Sequence, residues 1–225
     1  MTRPAPASDA GAERPVRPDI GAQYPSRLVR ALSIPAAFFA ANWAALLLAL
    51  TVVGTVPALI AATRTTVDLH LHADRAFRET LRHGARLLRR DWAASLALWA
   101  MLAVGVGNAL ILTDLAAGGT RVLLVGMALP PTWLAVAFLS AYVVVGARAE
   151  PTAARGTVAR AALMLVLTRP LRALAVPAVI VAVSPLWLLA PLTIAIGLSL
   201  PPFLVAKVWD EPGADARAGH RITRR

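Results

Sequence analysis

A chain of 225 residues that is 58% apolar and 16% charged, with a mean hydropathy of +0.64, lies outside the range of soluble domains and points to a membrane protein. The net charge of +11 is not that of a nucleic-acid binder, because the basic residues flank apolar runs without any recognised binding motif, and retention of arginine on the cytoplasmic side accounts for them. Cysteine is absent, which removes disulfides and thiolate metal sites; arginine outnumbers lysine 22 to 1, as in a GC-rich bacterial genome.

Residues 1–26 mix Pro, Ala and Arg with acids, lack any periodicity that would bury a face, and read as a disordered tail without a cleavable signal. Residues 27–209 form a single transmembrane domain, and 210–225 a second, basic disordered tail. The first apolar run holds 33 uncharged residues between Arg30 and Arg64. Whether it crosses once or twice is decided by charge. Segment 64–91 carries seven Arg against four acids and segment 148–172 five Arg against one Glu. A single crossing from a cytoplasmic N-terminus would leave both outside, against the orientation rule. Two crossings need a turn, which Gly54 and Pro57 supply, glycine by relieving backbone strain and proline by opening a new helix. The expected spans are about 32–53 and 56–72, with Arg64 inside the second, reaching toward the cytoplasmic interface or facing its neighbours. In the first, Ala37, Ala41, Ala45 and Ala49 form a small-residue ladder for helix packing, and Asn42 is placed to hydrogen-bond a neighbouring helix.

His70, His72 and Asp74 alternate, a spacing that would converge on one side of a strand; on a helix such positions diverge by about 160°, so no metal site is expected. The stretch 74–91 has helical periodicity. Phe77, Leu81, Gly84, Ala85, Leu88 and Trp92 share one face, and Arg75, Arg78, Arg82, Arg86, Arg89 and Arg90 fill the adjoining arc. It reads as a basic amphipathic helix at the membrane interface, with its arginines offered to anionic lipid or to a partner.

Beyond it, Asp91 to Asp114 brackets 22 uncharged residues, Arg121 to Arg148 brackets 26, and Arg172 to Lys207 brackets 34. About 20 suffice to cross a hydrocarbon core of about 30 Å. The expected spans are 92–113, 122–147 and, dividing the last run near Ala190 and Pro191, 173–188 and 191–207. Pro130 and Pro131 imply a kink or a later start in the fourth. The stretch GVGNAL from Gly105 lacks the third glycine and the preceding strand of a dinucleotide fingerprint, so its glycines and Asn108 read as helix packing. Trp92 and Trp209 fall at cytoplasmic boundaries. Arg78 and Thr80 recur as Arg155 and Thr157 at an offset of 77, a trace of a parallel repeat.

The fold class is thus all-α, a polytopic helix bundle of six transmembrane helices, with five as the alternative, in a bacterial plasma membrane with both termini cytoplasmic. Apart from the second span and the terminal Lys207, the expected spans hold no Asp, Glu, Lys, Arg or His. Proton relays and many intramembrane catalytic sites place such groups at membrane depth, so neither an enzyme nor a cofactor is expected.

The arrangement FFAANWAALLLALTVVGTVPALIAATR, followed by an aromatic and basic segment from Phe77 to Trp92, resembles the YesL-like family of small bacterial membrane proteins. Asn42, Trp43, Val52, Val53, Gly54, Pro57 and Ala58 carry the resemblance, with Thr55 and Val56 inserted where family members join the Gly directly to the Pro. It implies a multi-pass protein without catalytic residues, encoded beside carbohydrate ABC-transporter genes and accessory to sugar uptake. The alternative is a small transporter or permease subunit in its own right, although EPTAARG (Glu150 to Gly156) lacks the spacing of an ATPase-coupling loop. The expected partners are the bilayer and sugar ABC-transporter subunits; the sequence does not set the oligomeric state.

Overall fold

The computed structural model describes residues 27–67, 73–114 and 118–210; both tails, and with them His70 and His72, lie outside the described residues. The described residues form an all-helical protein. Four of its helices are long and apolar enough to cross a membrane, or five if a bent pair near the C-terminus counts as one span.

Helix α1 (Arg27–Ala49) presents Ala37, Ala41, Ala44 and Ala45 as a fully or nearly fully buried edge. Without bulk beyond Cβ, that edge lets other backbones approach closely. Ala49, at the end of the ladder, is half-buried. A 3-10 turn (Val52–Gly54) reverses the chain into α2 (Thr55–Val67). Gly54 is required there: a Cβ would meet the Leu48 carbonyl oxygen, a backbone atom that cannot swing away. Pro57 sits in the first turn of α2, where a missing N–H breaks no helical hydrogen bond.

The described part of α2 covers residues 55–67; the rest of the expected span 56–72 lies outside the described residues. Val56, Pro57, Ala58, Ile60, Ala61 and Ala62 are all buried beneath α1, α3, α4 and α9. Its buried threonines satisfy themselves: the hydroxyls of Thr63, Thr65 and Thr66 donate to the carbonyls of Leu59, Ala61 and Ala62 at 2.7 to 2.9 Å.

The largest departure from expectation is α3 (Ala73–Asp114), a single 42-residue helix that joins the basic segment 74–91 to the span 92–113 without a break. Its protein-facing side is not the expected apolar face. Ala76, Thr80, Leu87, Asp91 and Ser95 are fully buried, and Gly84 is buried with them, a stripe rotated by about 90° at 3.6 residues per turn. Ala85 and Trp92, assigned to the apolar face, point outward. The reason is size, since the stripe that α1 and α2 cover is the one of small side chains. Gly84 lies against Leu48 and Ala61, and Thr80 donates to Thr65 at 2.8 Å.

Helix α4 (Gly119–Arg148) contains Pro130 and Pro131; its first half is largely exposed and its second half, from Ala137 to Ala147, enters the core. Helix α5 (Arg155–Thr168) buries Val158, Ala162 and Val166 at i, i+4, i+8. Helices α6 (Pro170–Val183) and α7 (Pro185–Leu188) together make one span-length element. Helices α8 (Ala190–Ile196) and α9 (Leu200–Trp209) meet at a 60° bend. Trp209, expected at the interface, is fully buried with its indole N–H on Ser140 Oγ at 3.3 Å.

Candidate functional site

Polar contacts fix how α2 and α3 run. Thr65 meets Thr80 at one end, while the Val56 N–H donates to Ser95 Oγ at 3.0 Å and Trp99 Nε1 to Thr55 Oγ1 at 3.0 Å at the other. The two helices are therefore antiparallel, and the last turn of α2 comes to lie beside the first turns of α3. That brings Arg64 to the arginines of α3.

There Arg64, Arg75, Arg78 and Arg86 wall a cavity of about 800 Å³, together with Glu79 and His83; Thr65 and Pro151 complete it. Four guanidinium groups face a single carboxylate, and among the described residues none of the four makes an ion pair. His83 lies in the charged half of α3, ahead of the apolar stretch that follows Asp91. Its Nε2 is buried without a hydrogen-bond partner, and its pKa is held below the ordinary value, first by burial and then by Arg64, Arg90 and Arg86, with Glu79 opposing.

Further along α3 lies a buried polar network. Asp91, fully buried, pairs with Arg90 at 2.9 Å, whose side chain is only 7% exposed. Tyr142 donates its hydroxyl to Asp91 Oδ1 at 2.6 Å. Arg90 also donates to the Glu150 carbonyl at 3.2 Å, tying α3 to the turn after α4. Ser95 donates to the Val53 carbonyl at 2.8 Å. The two buried charges pair with each other, the condition under which such groups are tolerated in a core, although Arg90 Nη2 is buried without a hydrogen bond. Arg90 thus differs from its expected outward role, because its side chain turns inward. Arg82 and Arg89 stay exposed outside the cavity wall.

A second cluster joins α1 to the bend. Asn42, fully buried, donates through Nδ2 to the carbonyls of Thr193 at 3.2 Å and Ile194 at 2.7 Å, and accepts the Leu198 N–H at 2.6 Å. These backbone groups lie where the helix breaks, the Thr193 carbonyl also accepting the Gly197 N–H at 3.0 Å, and Trp187 donates to the Gly197 carbonyl at 2.8 Å. Asn108 is exposed, and a Cβ on Gly105 or Gly107 would meet nothing within 4 Å, so the GVGNAL stretch makes no close packing within the chain. Among the described residues no group of acidic and histidine side chains could hold a metal ion.

Fold and site together define an all-helical membrane protein with a cationic cavity at the charged end of its long third helix. No family model matches the chain, and neither a curated protein nor a solved structure matches it.

Missing from the sequence reading were Arg64 as a wall of the cavity, and Asp91 and Tyr142 as partners. Arg64 carried one signal: a lone charge in an apolar run is a functional candidate by default. Tyr142 carried none.

Proposed function

We propose that the chain is a non-enzymatic multi-pass protein of a bacterial plasma membrane that acts as an accessory to an ABC-type carbohydrate uptake system. The observation that carries the docking part is the block of exposed arginines on α3. Arg75, Arg78, Arg82, Arg86 and Arg89 remain accessible while the opposite side of the helix is buried. A helix held rigid on one side and cationic on the other suits an acidic partner surface, where complementary charge speeds and orients docking. The carbohydrate assignment is supported by the YesL-like resemblance, and the Asn42 clamp gives one motif residue a physical task.

In the same reading the chain crosses six times with both termini cytoplasmic, α2 serving as a short, protein-enclosed second crossing and the bent α8 and α9 pair as the sixth. The charge distribution supports this: Arg64, Arg148, Arg169, Arg172 and Lys207 all then face the cytoplasm. The absence of cysteine makes topology directly testable. Single cysteines at Thr51 and Thr152 are expected to react with a membrane-impermeant maleimide in intact cells at Thr51 only; protection of Thr51 would sink the two-crossing hairpin.

For function, the tagged protein is solubilised from its host grown on mixed polysaccharides, and co-purifying proteins are identified against an unrelated six-helix control. Enrichment of a sugar ABC permease or its binding protein is expected. Background alone, from protein that elutes folded, removes the stable-partner reading.

A further inference from the structure

We propose that the cavity between the end of α2 and the first half of α3 is a binding site for a phosphate group carried on a larger molecule. The inference stands on the cavity's own geometry and does not depend on the uptake-system reading.

Among the described residues, four arginines from two helices converge on one space with a single opposing carboxylate, Glu79. Like charges held together are mutually repulsive, by about 1 kcal/mol per pair at 4 Å even in water. The side chains of Arg64, Arg75, Arg78 and Arg86 are exposed and have the reach to disperse, yet α2 and α3 are locked at this spot by the Thr65–Thr80 bond and by Gly84 packed on α1. The convergence is therefore built into the backbone. Guanidinium forks match phosphate oxygens in bidentate pairs. A cavity of about 800 Å³ lies within the range of small-ligand sites and far exceeds one phosphate ion, so the ligand has a body beyond its anion. A glycerophospholipid headgroup and a soluble phosphate ester share that chemistry.

The test uses the full chain, delipidated in detergent, with binding followed by native mass spectrometry and by the shift in thermal midpoint. The probes are short-chain phosphatidic acid, the matching phosphatidylcholine, and glycerol 1-phosphate. Phosphatidic acid is expected to bind at least tenfold more tightly than phosphatidylcholine. Arg64→Gln with Arg78→Gln should weaken it at least tenfold, while Arg89→Gln with Arg160→Gln, which removes the same charge from exposed positions off the cavity, should change it less than twofold. Should the first double variant elute aggregated, the single variants Arg64→Gln and Arg78→Gln replace it, each expected to weaken binding at least threefold. Binding of phosphatidic acid with none by glycerol 1-phosphate assigns the lipid; equal binding of both assigns a soluble ester. Either supports the site. The proposal is overturned if neither phosphate probe exceeds phosphatidylcholine, or if the two double variants lose affinity equally, since that is diffuse attraction to a basic surface.

Discussion

Helix α3 contains two proteins' worth of chemistry in one continuous rod, and its halves behave oppositely. The first, from Ala73 to Asp91, carries five of the six arginines outward and buries a stripe of small and polar side chains against α1 and α2. The second half is almost purely apolar, and Leu102, Val104, Val106, Leu110 and Ile111 are 45 to 62% exposed. The charged half is the packed one and the apolar half stands free. In water this would be inverted; in a bilayer, lipid tails are as good a solvent for leucine as another leucine is, so apolar surface is not what draws helices together. Close approach of small residues and satisfied polar contacts do that, and those lie in the first half.

The comparison breaks hardest at Asp91. Asp91→Ala leaves the nearly buried Arg90 guanidinium and the Tyr142 hydroxyl without their acceptor; removing one partner of a buried pair typically costs about 3 to 5 kcal/mol. Loss of the monodisperse folded peak, or a fall of many degrees in thermal midpoint, is expected. A midpoint within two degrees of the parent would show that the network is not what holds the first half in place.

Next comes Asn42. Asn42→Ala strands the Ile194 carbonyl and the Leu198 N–H at the bend, while the Thr193 carbonyl keeps the Gly197 N–H; a buried group left unsatisfied costs about 1 to 3 kcal/mol. The damage should be local. Hydrogen exchange is expected to rise in 190–203 and to stay at the parent's level in 73–91; uniform loosening of both would contradict the clamp.

Asn42 also marks how far the sequence was readable. Its burial on a helix of alanines followed from residue type and spacing, but its partners are 151 to 156 residues away and are backbone atoms, which no side-chain pattern encodes. Membrane class and the apolar cores of the spans were legible because hydropathy and charge act locally. The basic face of α3 was legible for the same reason. Its buried stripe was not, Gly84 apart, because hydrophobicity ranked Phe77 and Trp92 above Thr80 and Ser95, whereas packing between these helices selects for smallness. Arg64 joins the α3 arginines only through the antiparallel pairing of α2 with α3, a tertiary fact.

Two glycines on α3 then sharpen the contrast between its halves with one chemical change. At Gly84 a new Cβ meets Leu48 Cδ1, the flexible end of a buried side chain, so Gly84→Ala should destabilise by about 1 to 2 kcal/mol, the range of modest overpacking. At Gly105 the same Cβ meets nothing, and alanine's better helix propensity is worth up to about 1 kcal/mol in the opposite direction. Thermal midpoints of the two variants should therefore lie on opposite sides of the parent. Equal shifts would mean that the halves of α3 are packed alike.

The smallest effect is expected from His83, and its sign follows from which protonation state the fold prefers. Burial and the surrounding Arg64, Arg90 and Arg86 lower its pKa in the folded protein, so the unfolded chain binds the proton more readily. Stability contributed by the neutral imidazole is present above the unfolded value of about 6.5 and falls as pH drops below it. Partial exposure of His83 keeps the slope shallow. The parent should lose more thermal stability between pH 8 and pH 5.5 than His83→Gln does, in buffer free of phosphate. Saturating phosphatidic acid should shrink that difference, because an anion in the cavity stabilises the imidazolium that Arg64, Arg90 and Arg86 oppose. An identical pH dependence in the two proteins would place the responsible group elsewhere in the chain.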